Sequence, residues 1–161
     1  MPLVSVLLVA LTAALPLQAQ RRPAAAPVAP FKTSMTQADM TGRQAVVETS
    51  ADTLVIDLRP DLAPNHVGYF IRLAREAAYS RTAIHRVVRD AIIQGGDPLS
   101  KDPSKGSFFI VTAAAPTLDG KYTVFGRVID GLDVVDRIES APVSGESPTT
   151  RIDLIKVRIA G

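Results

Sequence analysis

Between residues 53 and 58 the chain reads Thr-Leu-Val-Ile-Asp-Leu, so Leu54, Ile56 and Leu58 share one side of an extended backbone. That alternation commits the segment to a half-buried strand. A second β-rich run, 45–49, precedes it, and Ser50, Ala51 and Asp52 divide the two as a hairpin turn. Similar short runs recur at 82–88, 91–94, 107–112, 122–129 and 151–159. In the last of these the alternation slips between Leu154 and Ile155, where a bulge is expected. Two stretches carry helical spacing instead. Val67, Phe70, Ile71 and Ala74 stand at i, i+3, i+4 and i+7, with Asn65 as the expected N-cap and an end near Tyr79 and Ser80. Leu132, Val135 and Ile138 mark a shorter helix. The pattern predicts a mainly β protein: an antiparallel sheet or barrel covered by two α-helices.

One domain is what 161 residues can build. The first 20 residues carry no charge, and 3–15 are nearly all apolar. A bilayer-spanning helix needs about 20 apolar residues. This shorter run, followed by Leu17-Gln18-Ala19, reads as a signal peptide over 1–19, with an uncleaved anchor or a core segment as the other readings. The implied location is exported, periplasmic or secreted. Residues 20–43, Pro- and Ala-rich and then polar, read as a flexible linker, and 44–161 as the folded domain.

Charge and cysteine content exclude several classes. The net charge is +2, and the basic residues are scattered among acids with no basic block, which argues against nucleic acid as a partner. No cysteine and two histidines, His66 and His85, leave no disulfide framework and too few ligands for most zinc sites, so neither metal nor cofactor is expected. Phosphate-binding glycine loops and a nucleophile elbow are absent as well.

Five motifs in order carry more information than any of these. They are Ala63-Pro64 before the helix with Phe70, Ile84-His85-Arg86-Val87-Val88, Ile93-Gln94-Gly95-Gly96-Asp97-Pro98, Ser107-Phe108-Phe109-Ile110, and the run 118–128 from Leu118 through Tyr122 to Gly126. Gly131-Leu132-Asp133-Val134-Val135 continues the series. In this the chain resembles the cyclophilin-type peptidyl-prolyl cis-trans isomerases from residue 44 to its C-terminus. The resemblance implies a cyclophilin-like antiparallel β-barrel that accelerates rotation about Xaa–Pro bonds in proline-containing polypeptides. It implies catalytic roles for Arg86, Gln94 and Phe109, and substrate contacts for Ile92, Leu118 and Tyr122. His85, next to Arg86 on a strand, is expected on the opposite face as a packed, hydrogen-bonded histidine.

Amide resonance opposes that rotation by roughly 18–20 kcal/mol. In the twisted transition state the prolyl nitrogen gains a localised lone pair. A donor aimed there binds the transition state better than either ground state. Arg86, always charged and forked, suits this electrostatic role.

The sequence also departs from the family. Ala91 stands where a pocket phenylalanine is usual, Ile92 replaces a methionine and Tyr122 a histidine, so tight cyclosporin binding is not expected. Typical members place several dozen residues between the Gly-Gly-Asp turn and the Phe-Phe strand. Here eight residues, 98–105, separate Asp97 from Gly106. Eight residues reach at most about 28 Å. The barrel therefore lacks a central segment and either closes smaller or stays open, and a non-catalytic peptide-binding module with an incomplete groove is the competing reading.

Overall fold

The computed structural model describes residues 31–97 and 107–161. The expected signal peptide, most of the expected linker and the short 98–105 loop lie outside the described residues. The elements are α1 (Gln37–Met40), β1 (Gln44–Thr49), β2 (Asp52–Leu58), α2 (Pro64–Arg75), β3 (Thr82–Val88), β4 (Ile92–Gly95), β5 (Phe108–Val111), a 3₁₀ turn at Pro116–Leu118, β6 (Gly126–Asp130), α3 (Leu132–Glu139), β7 (Val143–Ser144), β8 (Ser147–Pro148) and β9 (Ile152–Ala160). Seven strands form one curled antiparallel half-barrel in the order β5-β4-β3-β9-β1-β2-β6.

The strand pattern predicts this sheet well. Ala45, Val47, Leu54, Ile56 and Leu58 all face the core, as alternation requires. The slip at Ile155 is a true irregularity: β1 pairs Glu48 with Lys156 but Thr49 with Leu154, so Ile155 is left over and half exposed. Val67, Phe70, Ile71 and Ala74 form the buried face of α2, and α3 adds Val134, Val135 and Ile138 to the same core.

Several expectations move. The folded body begins by Phe31, not Gln44. Met40 is wholly buried, the Phe31 ring lies 4.9 Å from that of Tyr69, and Thr36 with Asp39 forms a reciprocal capping box on α1. Polar composition concealed this segment, because its anchorage rests on single residues. The N-cap of α2 is Ala63 rather than Asn65. Pro64 takes the first helical position, where a missing N–H costs nothing, and the Asn65 Oδ1 accepts from the Thr33 N–H at 3.1 Å. The helix stops at Arg75, four residues early. The Ala78 N–H bonds to the Leu73 carbonyl and the Ala77 N–H to that of Ala74, with Ala77 at φ +54. This is a Schellman stop built on alanine instead of glycine. Leu132 is exposed, and Val134 takes its place in the core. Residues 122–125 are not strand: Tyr122 and Val124 are exposed, and β-propensity without a pairing neighbour does not make a ladder.

Among the described residues no strand pairs with the outer side of β5 or of β6. The two edges are instead tied through α2. The Phe70 ring meets Phe108 of β5 at 5.4 Å, Phe125 just before β6 at 5.1 Å, and Tyr79 at 5.1 Å. Such aromatic contacts add to simple burial. Phe70→Ala should cost about 3–5 kcal/mol in urea unfolding, and a loss under about 1 kcal/mol would show that the edges are held otherwise.

Tyr79 supplies a pH test. Burial raises its phenol pKa well above the ordinary 10.0. The unfolded phenol ionises first, so this contribution to stability is intact below about pH 10 and is lost as pH rises further. Tyr79→Phe should flatten the fall of the urea midpoint above about pH 10. An unchanged slope would assign that fall to other groups.

Candidate active site

Arg86 pairs with Gln94 across β3 and β4, and Gln94 pairs with Phe109 across β4 and β5. Residues directly opposite each other share a sheet face. The three side chains therefore form one row on adjacent strands, spanning roughly 10 Å. This face is the one turned away from the core: Val87, Ile93 and Ile110 make the next row and join the core cluster.

A bulge in β3 sets the row. The β3–β4 register shifts between Ile84 and Arg86, and the core-facing residues Ile84 and Val87 stand three apart instead of two. His85 and Arg86 are both left half-buried, off the core side. His85 is thus not the packed, hydrogen-bonded histidine expected opposite Arg86; among the described residues its side chain makes no hydrogen bond. His66 is exposed near the start of α2. Gly96 explains the turn after β4: its φ is +84, and a Cβ there would lie 3.0 Å from both the Phe108 and Tyr79 rings.

Phe109 is covered on one side by Tyr122, whose ring stands edge-on with centroids 5.1 Å apart. Leu118, at the end of the 3₁₀ turn, joins both in lining an open hollow of about 1130 Å³ that runs around the β5 edge. Arg86 and Gln94 lie beside that hollow, outside its lining. Ile92 is on the same face as Gln94 but is nearly buried between Val88 and Val111, with little surface left for a ligand. Ala91 belongs to the turn that enters β4. The Gln94 side-chain amide reaches the Ser107 hydroxyl at 3.5 Å, so Ser107 meets it across the sheet.

Sequence reasoning missed the partner of Arg86. Residues 143–148 form a small hairpin, β7–β8, beside β3. Glu146 at its tip takes the guanidinium in a two-point grip: Nε donates to one carboxylate oxygen at 2.6 Å and Nη2 to the other at 3.3 Å. Hydrogen bonding to Glu146 raises the Arg86 pKa, partial burial opposes it, and Tyr122 adds to it. The same hydrogen bond holds the Glu146 carboxyl below its ordinary range. The Ser-Gly-Glu-Ser pattern could have announced a two-residue turn, though not what its tip would touch. Among the described residues no group of three or more His, Asp or Glu side chains could hold a metal ion.

Comparisons with known proteins identify the family and the fold. The family model for cyclophilin type peptidyl-prolyl cis-trans isomerase matches residues 45–107 and 100–159, two stretches that meet at the shortened loop. A peptidyl-prolyl cis-trans isomerase-like 1 protein of Neurospora crassa is 30% identical over 149 aligned residues, covering 70% of this chain and 91% of the relative. That alignment is longer than the part of this chain within it, so the relative carries dozens of residues with no counterpart here. A peptidyl-prolyl cis-trans isomerase of Dictyostelium discoideum is 28% identical, covering 73% of this chain and 97% of its own length. Among solved structures, a Cryptosporidium parvum cyclophilin type isomerase crystallised in the presence of the dipeptide Ala-Pro superposes with a TM-score of 0.68 at 23% identity. It covers 73% of this chain and 99% of its own, and shows the shared fold. The family-model match spans most of the described residues: the chain belongs to the cyclophilin-type peptidyl-prolyl cis-trans isomerase family.

Proposed function

We propose that this protein accelerates rotation about Xaa–Pro bonds in exported polypeptides, with Arg86 as the donor to the twisted prolyl nitrogen. The observation that carries the reading is the row Arg86–Gln94–Phe109 on three neighbouring strands. An aromatic surface beside a fixed cation is what the reaction needs. The pyrrolidine ring rests on Phe109 between Tyr122 and Leu118, and the guanidinium waits where the lone pair develops. One edge of that guanidinium, Nε with Nη2, is taken by Glu146, while Nη1 has no hydrogen bond among the described residues and remains available as a donor. Gln94 holds the substrate backbone between the two. No nucleophile or proton transfer is required, because the enzyme's task is to favour the twisted amide over both planar forms.

A second reading has its own support. Dozens of residues of the Neurospora crassa relative have no counterpart here, and Ala91 stands where the family resemblance implies an aromatic wall, which favours a module that binds proline-containing peptides without turning them over.

Two-dimensional exchange NMR on a short Ala-Pro peptide separates these readings. Catalysed exchange is expected with the wild-type protein, and Arg86→Ala should slow it by roughly 10²–10³-fold. Equal rates for both proteins, no faster than peptide alone, would sink the enzymatic reading; peptide-induced shifts with those rates would establish the binding module.

Export is supported by the uncharged apolar run at 3–15 and the small residue Ala19 that follows it. Expressed in full in a cell with a secretory pathway, the protein should be recovered outside the cytosol with Gln20 as its first residue. N-terminal sequencing that finds an intact leader in the cytosol would refute this.

A further inference from the structure

The geometry points to Glu146 as a positioning residue for Arg86: the β7–β8 hairpin is built to hold the guanidinium plane against the sheet face that carries Gln94 and Phe109. This rests on the role proposed for Arg86 and extends it to a residue 60 positions away in sequence.

The hairpin is fixed at both ends. At its base the Thr149 N–H bonds to the Pro142 carbonyl at 2.8 Å, and the Thr149 hydroxyl donates to the same oxygen at 3.1 Å. At its tip the Val87 N–H donates to the Glu146 carbonyl at 2.7 Å. That bond comes from the residue following Arg86, so the backbone carrying the carboxylate is locked to the backbone carrying the guanidinium. Gly145, at φ +62, opens the two-residue turn that delivers Glu146 to this point.

An exposed ion pair contributes little to stability, and this one is half exposed on both sides. Its geometry has a different use. A guanidinium on a flexible side chain samples many orientations, whereas a two-point carboxylate grip fixes both its plane and its free edge. The remaining donors then point in one direction. Catalysis by a donor aimed at one nitrogen depends steeply on that aim: misplacement by about 1 Å can cost as much as a hundredfold in rate.

The charged surroundings are simple. β3 contributes Arg86 and, beside it, His85; the segment before β6 places Tyr122 within electrostatic reach of Arg86; Arg89, just past β3, donates to the Ser140 carbonyl instead. Among the described residues Arg86 is the group that acts on the Glu146 carboxylate. Because Glu146 is held below the ordinary carboxylate range, the grip persists through that range and opens only in stronger acid.

The test is exchange NMR on the Ala-Pro peptide with wild type, Glu146→Ala, Glu146→Gln and Arg86→Ala, alongside peptide affinity from chemical-shift titration. Glu146→Ala should lower the rate of bound-state exchange roughly 10-fold to 100-fold while peptide affinity and melting temperature stay at wild-type values. Its Arg86 Nε–H resonance should lose the downfield shift of a carboxylate-bound guanidinium. Glu146→Gln, which keeps one acceptor oxygen and the side-chain volume, should fall between the two and lose the acid limb of the rate profile. If Arg86→Ala slows exchange but Glu146→Ala runs at or above the wild-type rate, the positioning role is wrong while the Arg86 role stands. If Arg86→Ala is as fast as wild type, the functional reading itself has failed. If Glu146→Ala melts early, Glu146→Gln decides: wild-type rates across the pH range would overturn the inference.

Discussion

Phe70 is the contact on which this half-barrel depends. A barrel closes by hydrogen-bonding its first strand to its last, and that closure removes exposed edges. Here β5 and β6 are the edges, and twelve residues, 96–107, separate β4 from β5. One ring on α2 touches Phe108 on one edge and Phe125 beside the other. Tyr79, which leads into β3, packs against both Phe70 and Phe108. Apolar contact thus substitutes for a missing ladder. Dispersion and burial do not care about strand register, so the substitute tolerates a gap that hydrogen bonds could not span.

The sheet was legible in sequence because alternation is a local property. Leu54, Ile56 and Leu58 declare their face without reference to any neighbour, and the misfit at Ile155 announces a bulge in the same way. The row proposed as the site was legible for another reason: the motifs holding Arg86, Gln94 and Phe109 are short and ordered. What sequence could not supply was whatever depended on one distant partner. Met40 lies in a polar segment and is buried only because a pocket receives it. Ala77 stops a helix without a glycine, its left-handed backbone held by the Schellman bonds. Glu146 looks like any loop acid until the hairpin brings it to Arg86. The bulge at His85 is likewise invisible beforehand, since Ile-His-Arg-Val reads as ordinary alternation.

That bulge has a bearing on the site. Plain alternation with Ile84 inward would turn Arg86 inward too and His85 out. The extra residue shifts the phase by one and places the cation on the open face, where a bulge's local twist commonly redirects a side chain near an active centre. The Arg86–Glu146 grip, the Gln94 amide and the Phe109–Tyr122 pair are all downstream of that phase shift. The hollow around β5 provides surface beside the row, although the two edges that flank it stay unpaired among the described residues.

The position of β9 has a consequence in time. Strand order runs from β3 to β9 to β1, so among the described residues β9 is the ladder joining the half that carries Arg86, Gln94 and Phe109 to the half that carries the first hairpin. During synthesis the chain emerges from its N-terminus, and β9 leaves the ribosome after every other strand. Without β9 the strands of the two halves share no ladder among the described residues. The pairing that joins the two halves is therefore long-range and falls to the last strand made, the kind of contact that slows folding.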